Sequence, residues 1–276
     1  MARGLGVVFA VALGSGCGSR SCPVPGDEAE PEWADANADG VVDINDGVRI
    51  ARHALSHGPP PACRGQGDLT GVDHVAFEAA GHIWYWLFVG HASGMPEWEG
   101  CEVRWPSAAE PPPCARVGLS FDAPKRVQSS TFEARVLLRA KGLEPGPDAW
   151  SFGVGAEGCR VVSATLSGTA ADHTFADPPG IVAEGFAHAE VVDGGAITAV
   201  VPSWLEPVYL ERAESGRDVL VLELEADVPA SGCAPCELSF RDDLKGAGQP
   251  VAVVAGLYGW SYAPSVHRAE IDVCGD

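Results

Sequence analysis

A run of oxygen-bearing residues near the start sets the strongest condition on the fold. Asp35-Ala-Asn37-Ala-Asp39-Gly40-Val41-Val42-Asp43-Ile44-Asn45-Asp46 places side-chain oxygens at alternating positions and closes on a carboxylate at its twelfth residue. A hard cation such as calcium takes about six to eight oxygen ligands, and a loop of this length can supply them. Asp35, Asn37 and Asp39 would give side-chain oxygens, Val41 its backbone carbonyl, Asp43 a contact through water, and Asp46 the last carboxylate. Gly40 permits the sharp turn that wraps the chain around an ion. Asp and Asn also favour ordinary tight turns, but the full set of matched positions with the glycine in place goes beyond what a turn needs. Ca2+ is therefore the expected cofactor. Its expected role is structural, because carboxylates crowded in one loop repel each other and an ion bound only by the folded form stabilises it by mass action.

Two features depart from a common EF-hand. The loop closes on Asp46 where Glu is usual, and no helical pattern precedes Asp35. Dockerins show both departures, and the segment from about Trp33 to Gly90 resembles a type I dockerin. After the loop, Gly47 to His57 carries Val48, Ala51 and Leu55 at helical spacing. A dockerin would repeat the loop near Asp68, but Asp68-Leu-Thr70-Gly-Val72-Asp73 lacks the carboxylates, so no ion is expected there. The helix after it survives, with Phe77, Ala80, Trp84 and Leu87 on one stripe. The resemblance implies that Ile44 and Asn45, late in the loop, meet a partner module. The plainer reading, favoured because the second repeat is degenerate, makes them the end of the loop and the start of a helix.

From Ala115 onward the texture changes to short runs of Val, Leu, Ile, Phe and Thr between Gly, Pro and Asp. Strands are expected at Arg116 to Phe121, Thr131 to Ala140, Ala149 to Val154, Val161 to Leu166, Ala196 to Val201, Val219 to Ala226, Val251 to Ala255 and Arg268 to Val273. In the second of these Phe132, Ala134, Val136 and Leu138 alternate with Glu133 and Arg135, and Leu220, Leu222 and Leu224 alternate with Glu223 and Glu225 in the same manner. The expected fold class is a small all-α calcium-binding dockerin-like module followed by an all-β antiparallel sandwich or jelly roll; the second half, with Trp150-Ser151-Phe152-Gly153-Val154, resembles the cohesin-like and carbohydrate-binding sandwiches of exported bacterial proteins, and a cohesin-like type is what that resemblance implies. The expected divisions are a signal peptide at 1–16, a tether at 17–32, the dockerin-like module at 33–91, a Pro-rich linker with cysteines at 92–114, and the sandwich at 115–276.

The first residues read as an export signal, with Arg3 ahead of the apolar run Leu5 to Leu13 and small residues at Gly14-Ser15-Gly16. Cys17 follows directly and resembles a lipoprotein processing site, although Leu13 sits one place early, so lipid anchoring through Cys17 and plain cleavage both stay open. Setting Cys17 aside, the chain keeps Cys22, Cys63, Cys101, Cys114, Cys159, Cys233, Cys236 and Cys274. An even number in an exported chain suggests disulfides, and grouping by module would leave four on each side of residue 115. The formal charge of −20 repels nucleic acid and anionic lipid headgroups. Membrane contact is expected only through a lipid on Cys17, and the location is extracytoplasmic, either secreted or anchored at the cell surface.

Several catalytic patterns fail on context. Gly153-Val-Gly155-Ala-Glu-Gly158 matches a dinucleotide fingerprint but leads into the strand-like Val161-Val162-Ser163-Ala164, without the helix that would hold a phosphate. Cys233-Ala-Pro-Cys236 has redox spacing without a βαβ setting, so structural disulfides are the better reading. The histidines form no HExxH or clustered ligand pattern and are read mostly as surface residues. Trp204, Tyr209, Trp260 and Tyr262 are taken as exposed aromatics that could stack on sugar rings or, at strand ends, cap a core. These observations favour a non-catalytic protein for assembly or surface adhesion, partnered by a cohesin-like module or by its own sandwich. The alternative is an accessory carbohydrate-binding protein or glycoside hydrolase in polysaccharide degradation.

Overall fold

The structure is a computed structural model that describes residues 34–37, 41–55, 58–62, 77–89, 115–144, 146–172, 180–182, 185–192, 194–203, 208–211, 213–244, 251–255 and 260–275. The signal region, Cys17 and the tether, Asp39 and Gly40, the segment near Asp68, the linker at 92–114, Trp204, and Cys22, Cys63, Cys101 and Cys114 lie outside the described residues.

Two helices come first: α1 (Ile44–Ala54) and α2 (Phe77–Trp84), the latter continuing as a π-helical turn at Tyr85–Val89. Strands follow in the order β1 (Arg116–Asp122), β2 (Arg126–Val127), β3 (Thr131–Lys141), β4 (Pro147–Glu157), β5 (Arg160–Thr165), β6 (Gly180–Val182), β7 (Gly185–Val192) and β8 (Gly195–Val201). The series ends with β9 (Arg217–Glu225), β10 (Cys233–Arg241), β11 (Ala252–Ala255), β12 (Trp260–Tyr262), β13 (Ser265–Val266) and β14 (Ala269–Cys274). They form two sheets, ordered β13-β1-β3-β9-β5 and β2-β14-β10-β4-β8-β7-β6, with β11 added on β4 and β12 on β11. Pairing is antiparallel, as expected for the sandwich, except for the short β1–β13 and β14–β2 ladders at two sheet edges.

The inner faces of the sheets meet in one apolar core. Leu119, Ala134, Val136, Leu138, Leu220, Leu222 and Leu224 supply it from the five-stranded sheet; Trp150, Phe152, Val154, Leu238 and Ile271 supply it from the other. The alternation read in β3 and β9 places these residues as expected, since a strand with one covered face repeats every two residues. Cys159–Cys236 and Cys233–Cys274 are disulfides, the second joining register partners on β14 and β10. Cys233 and Cys236 thus belong to different bridges, and the CAPC spacing is structural.

A third layer covers the outer face of the second sheet. Ile44, Val48, Ile50, Ala51, Ala80, Ile83, Trp84, Leu87 and Phe88 share a buried cluster with Ala149 on β4, Phe186 on β7, Ala199 and Val201 on β8, and Ala252 and Val254 on β11. A distinct all-α module is not shown here: α1 and α2 complete their burial against the sheet, the intrachain one of the two partners expected. Each helix offers one apolar stripe, which α2 and α1 cover only in part, and the remaining surface finds apolar area on β4, β7, β8 and β11. Strands β4 and β8 therefore have both faces covered and read as almost unbroken buried runs.

Candidate functional site

The loop from Asp35 to Asp46 runs into α1 through a reciprocal cap. Asp43 has extended backbone at the helix start, and its Oδ1 accepts the Asn45 backbone N–H at 2.7 Å. Asp46 Oδ2 accepts the Asp43 N–H at 2.8 Å, which satisfies two donors that a helix start otherwise leaves bare. The other oxygen, Oδ1, accepts the Asn37 backbone N–H at 3.2 Å, closing the loop across nine residues. Helix α1 thus starts at Ile44, three residues before the segment expected from the spacing of Val48, Ala51 and Leu55. Beyond the helix the chain returns to the loop, where the Ala62 N–H donates to the Ala36 carbonyl at 2.7 Å.

Asp35, Asp43 and Asp46 are all buried, Asp46 completely, whereas Val41 exposes about half its surface and Asn37 is partly buried. Buried carboxylates are tolerated only when hydrogen-bonded, paired or bound to a cation. The described donors are hard oxygens, the chemistry that calcium takes. Among the described residues no group of three or more His, Cys, Asp or Glu side chains is gathered to hold a metal ion, and Asp39, the fourth carboxylate of the loop, lies outside them. The described residues that would offer oxygens to a cation here are Asp35, Asn37, Val41, Asp43 and Asp46, and both Asp46 oxygens accept backbone N–H groups of the loop.

Ile44 and Asn45 have no exposed surface. The Ile44 carbonyl accepts the Trp84 indole N–H at 3.1 Å, which pins α2 to the start of α1. Trp84 stacks on Phe186 of β7 with ring centroids 5.5 Å apart, and Phe88 lies on the same ring at 6.2 Å. His188, stacked on Phe186 at 6.5 Å, is buried beside Glu190, so this histidine departs from the surface placement expected of most.

Polar contacts also cross from the helical segment to the sandwich. Ser261 Oγ on β12 donates to Asp43 Oδ2 at 2.9 Å. Arg52 on α1 donates to Asp148 Oδ2 on β4 at 2.7 Å, with side chains 1% and 0% exposed. Asp148 lies at an irregularity in the β4–β11 ladder, where Val254 pairs with Ala149 and Ala255 with Pro147. Burial pushes the Asp148 carboxyl up to about 6 despite the opposing pull of the Arg52 charge. Burial also raises the phenol of Tyr262 to about 12, and the Asp148 charge adds to it. Tyr262 is fully buried and Tyr209 and Trp260 are partly covered, and Tyr262 and Trp260 take the core-capping placement that was the plainer of their two readings.

Of the residues singled out in the sequence, the structure brings Asn37, Asp43 and Asp46 into one hydrogen-bonded loop and buries Asp35 beside it. Arg52, Asp148 and Ser261 were not found from the sequence. Continuous apolar runs such as Gly195-Ala-Ile-Thr-Ala-Val-Val201 carried a readable signal that both faces of that strand are covered.

No family model and no curated protein matches this chain. Among solved structures the chain is similar to cohesin modules. A Clostridium thermocellum cohesin, described in a type I cohesin–dockerin complex, aligns at 9% identity and TM-score 0.42 over 58% of this chain and 95% of its own. The sixth cohesin of Acetivibrio cellulolyticus scaffoldin B, in complex with a Cel5 dockerin, aligns at 14% identity and TM-score 0.39 over 57% and 99%. A non-cellulosomal cohesin from the archaeon Archaeoglobus fulgidus aligns at 7% and 0.38 over 57% and 91%.

Proposed function

We propose that this chain is a non-catalytic extracytoplasmic calcium-binding protein for assembly or surface adhesion, in which the dockerin-like segment is seated on the chain's own sandwich. The observation that carries this reading is the seam between α1, α2 and the second sheet, where Ile44, Trp84, Phe88, Phe186, Val201 and Val254 share one buried cluster. The occupant of the sheet face is thus supplied in cis, and the intrachain sandwich is the partner that the loop-end residue Ile44 is buried with. Calcium at Asp35, Asn37, Asp39, Val41, Asp43 and Asp46 would hold the loop in the shape that this seating uses. Two disulfides suit an oxidising compartment.

Calorimetric calcium titration of the full chain beside an Asp35→Ala, Asp39→Ala double variant tests the reading. One site in the wild type that the variant loses supports it. No heat at millimolar calcium in the wild type would refute the metal, and solvent-exposed α1 amides in hydrogen exchange would refute the seating.

A further inference from the structure

We propose that Ser261 is a positioning residue for the calcium loop, so that seating of the helices on the sandwich and loading of the loop form one coupled equilibrium. This rests on the calcium reading above and goes beyond it by naming what links the ion to the fold.

Asp43 stands at the junction. One of its carboxylate oxygens accepts the Asn45 N–H inside the helical segment, and the other accepts the Ser261 hydroxyl from a strand 218 residues away. Asp43 is buried, so water is a poor substitute for either donor. The two bonds select one rotamer for a side chain that the loop spacing assigns to the cation's surroundings. A carboxylate held in place beforehand loses less conformational freedom on binding than one that must be ordered.

The strand that carries Ser261 belongs to the seam. Ser261 is the register partner of Val254 on β11, and Val254 is in the cluster that buries the helices. β11 in turn pairs with β4, which carries Asp148, the partner of Arg52. Ser261 therefore meets Asp43 only when α1 is seated. Linkage makes the effect reciprocal: if seating tightens the ion by some factor, the ion tightens seating by the same factor. The wiring also accounts for a hydroxyl rather than an apolar residue at this point of the seam.

The test is calcium calorimetry on the full chain carrying Ser261→Ala, Ser261→Thr or Asp148→Arg. Loss of a hydrogen bond to a charged group corresponds to roughly a ten- to 150-fold weaker affinity. Ser261→Ala is expected to show that loss. Ser261→Thr, which keeps the hydroxyl, should restore most of it, an outcome that a merely destabilised strand would not give. Asp148→Arg, which places like charges at the seam far from the loop, should weaken calcium as well, and in the wild type chelation should speed hydrogen exchange across α1. Affinity in Ser261→Ala equal to or tighter than wild type would overturn the proposal while leaving the calcium reading intact. A wild type silent at millimolar calcium would bring down that reading and this one together.

Discussion

Replacing Arg52 by Ala tests whether the helices are seated as described. Arg52 and Asp148 are buried to within 1% and joined by a bond of 2.7 Å. Removing the guanidinium leaves a carboxylate inside the fold without its cation, and breaking a buried pair in this way typically costs about 3–5 kcal/mol. The penalty depends on pH in a direction that can be worked out. Asp148 already has its carboxyl raised to about 6 with Arg52 beside it, and without that charge the value moves higher. Above about pH 6 the wild-type carboxyl is ionised while that of the variant still holds its proton, so the variant loses ground with rising pH by about 1.4 kcal/mol per unit. The deficit should therefore be larger at pH 7.5 than at pH 5.5. Urea unfolding followed by tryptophan fluorescence at both pH values measures it, and the double variant Arg52→Met, Asp148→Leu should recover most of the loss by filling the space with apolar groups. A penalty under about 1 kcal/mol that is the same at both pH values would mean that the pair sits in water, and the seam as described would be refuted.

Other outcomes follow from the same contacts. In the wild type the folded form holds more protons on Asp148 than the unfolded form between about pH 4 and about 6, so this group's contribution to stability falls as pH rises through that window and is level above it; Asp148→Asn should flatten that part of a stability–pH curve. Gly47→Ala would ordinarily strengthen a helix by up to about 1 kcal/mol. Here the new Cβ would overlap the indole of Trp84, and the variant should instead lose about 1–3 kcal/mol in thermal or urea unfolding. Phe186→Ala removes the ring on which Trp84 and Phe88 rest, and a loss of about 3–5 kcal/mol with faster amide exchange in both helices is expected. The Cys233–Cys274 bridge spans 41 residues of sequence, and replacing both cysteines by Ser should lower unfolding stability by about 4 kcal/mol.

The sandwich was largely legible because its signals are local. Alternation in β3 and β9 tells which residues face inward, and the Gly- and Asp-rich breaks mark where strands stop. Strands that were not foreseen, β7 and β10 among them, mix Ala, His, Glu, Cys and Pro into the pattern, and neighbours complete their burial. The cysteine grouping also held for the second half, where Cys159, Cys233, Cys236 and Cys274 pair among themselves. Which of the allowed pairings forms was decided by strand register, since Cys233 faces Cys274 across β10 and β14.

The amino-acid sequence by itself determined the oxygen ladder from Asp35 to Asp46, the helix that follows it, and the strand-rich second half. All three are written in spacings of a few residues. Only the tertiary structure decided that the helices lie on the sheet, that Arg52 finds Asp148 across 96 residues, and that Ser261 finds Asp43 across 218. Periodicity shows which face of an element is apolar, but the partner that covers it is chosen by shape and by the desolvation of polar groups brought together from distant parts of the chain.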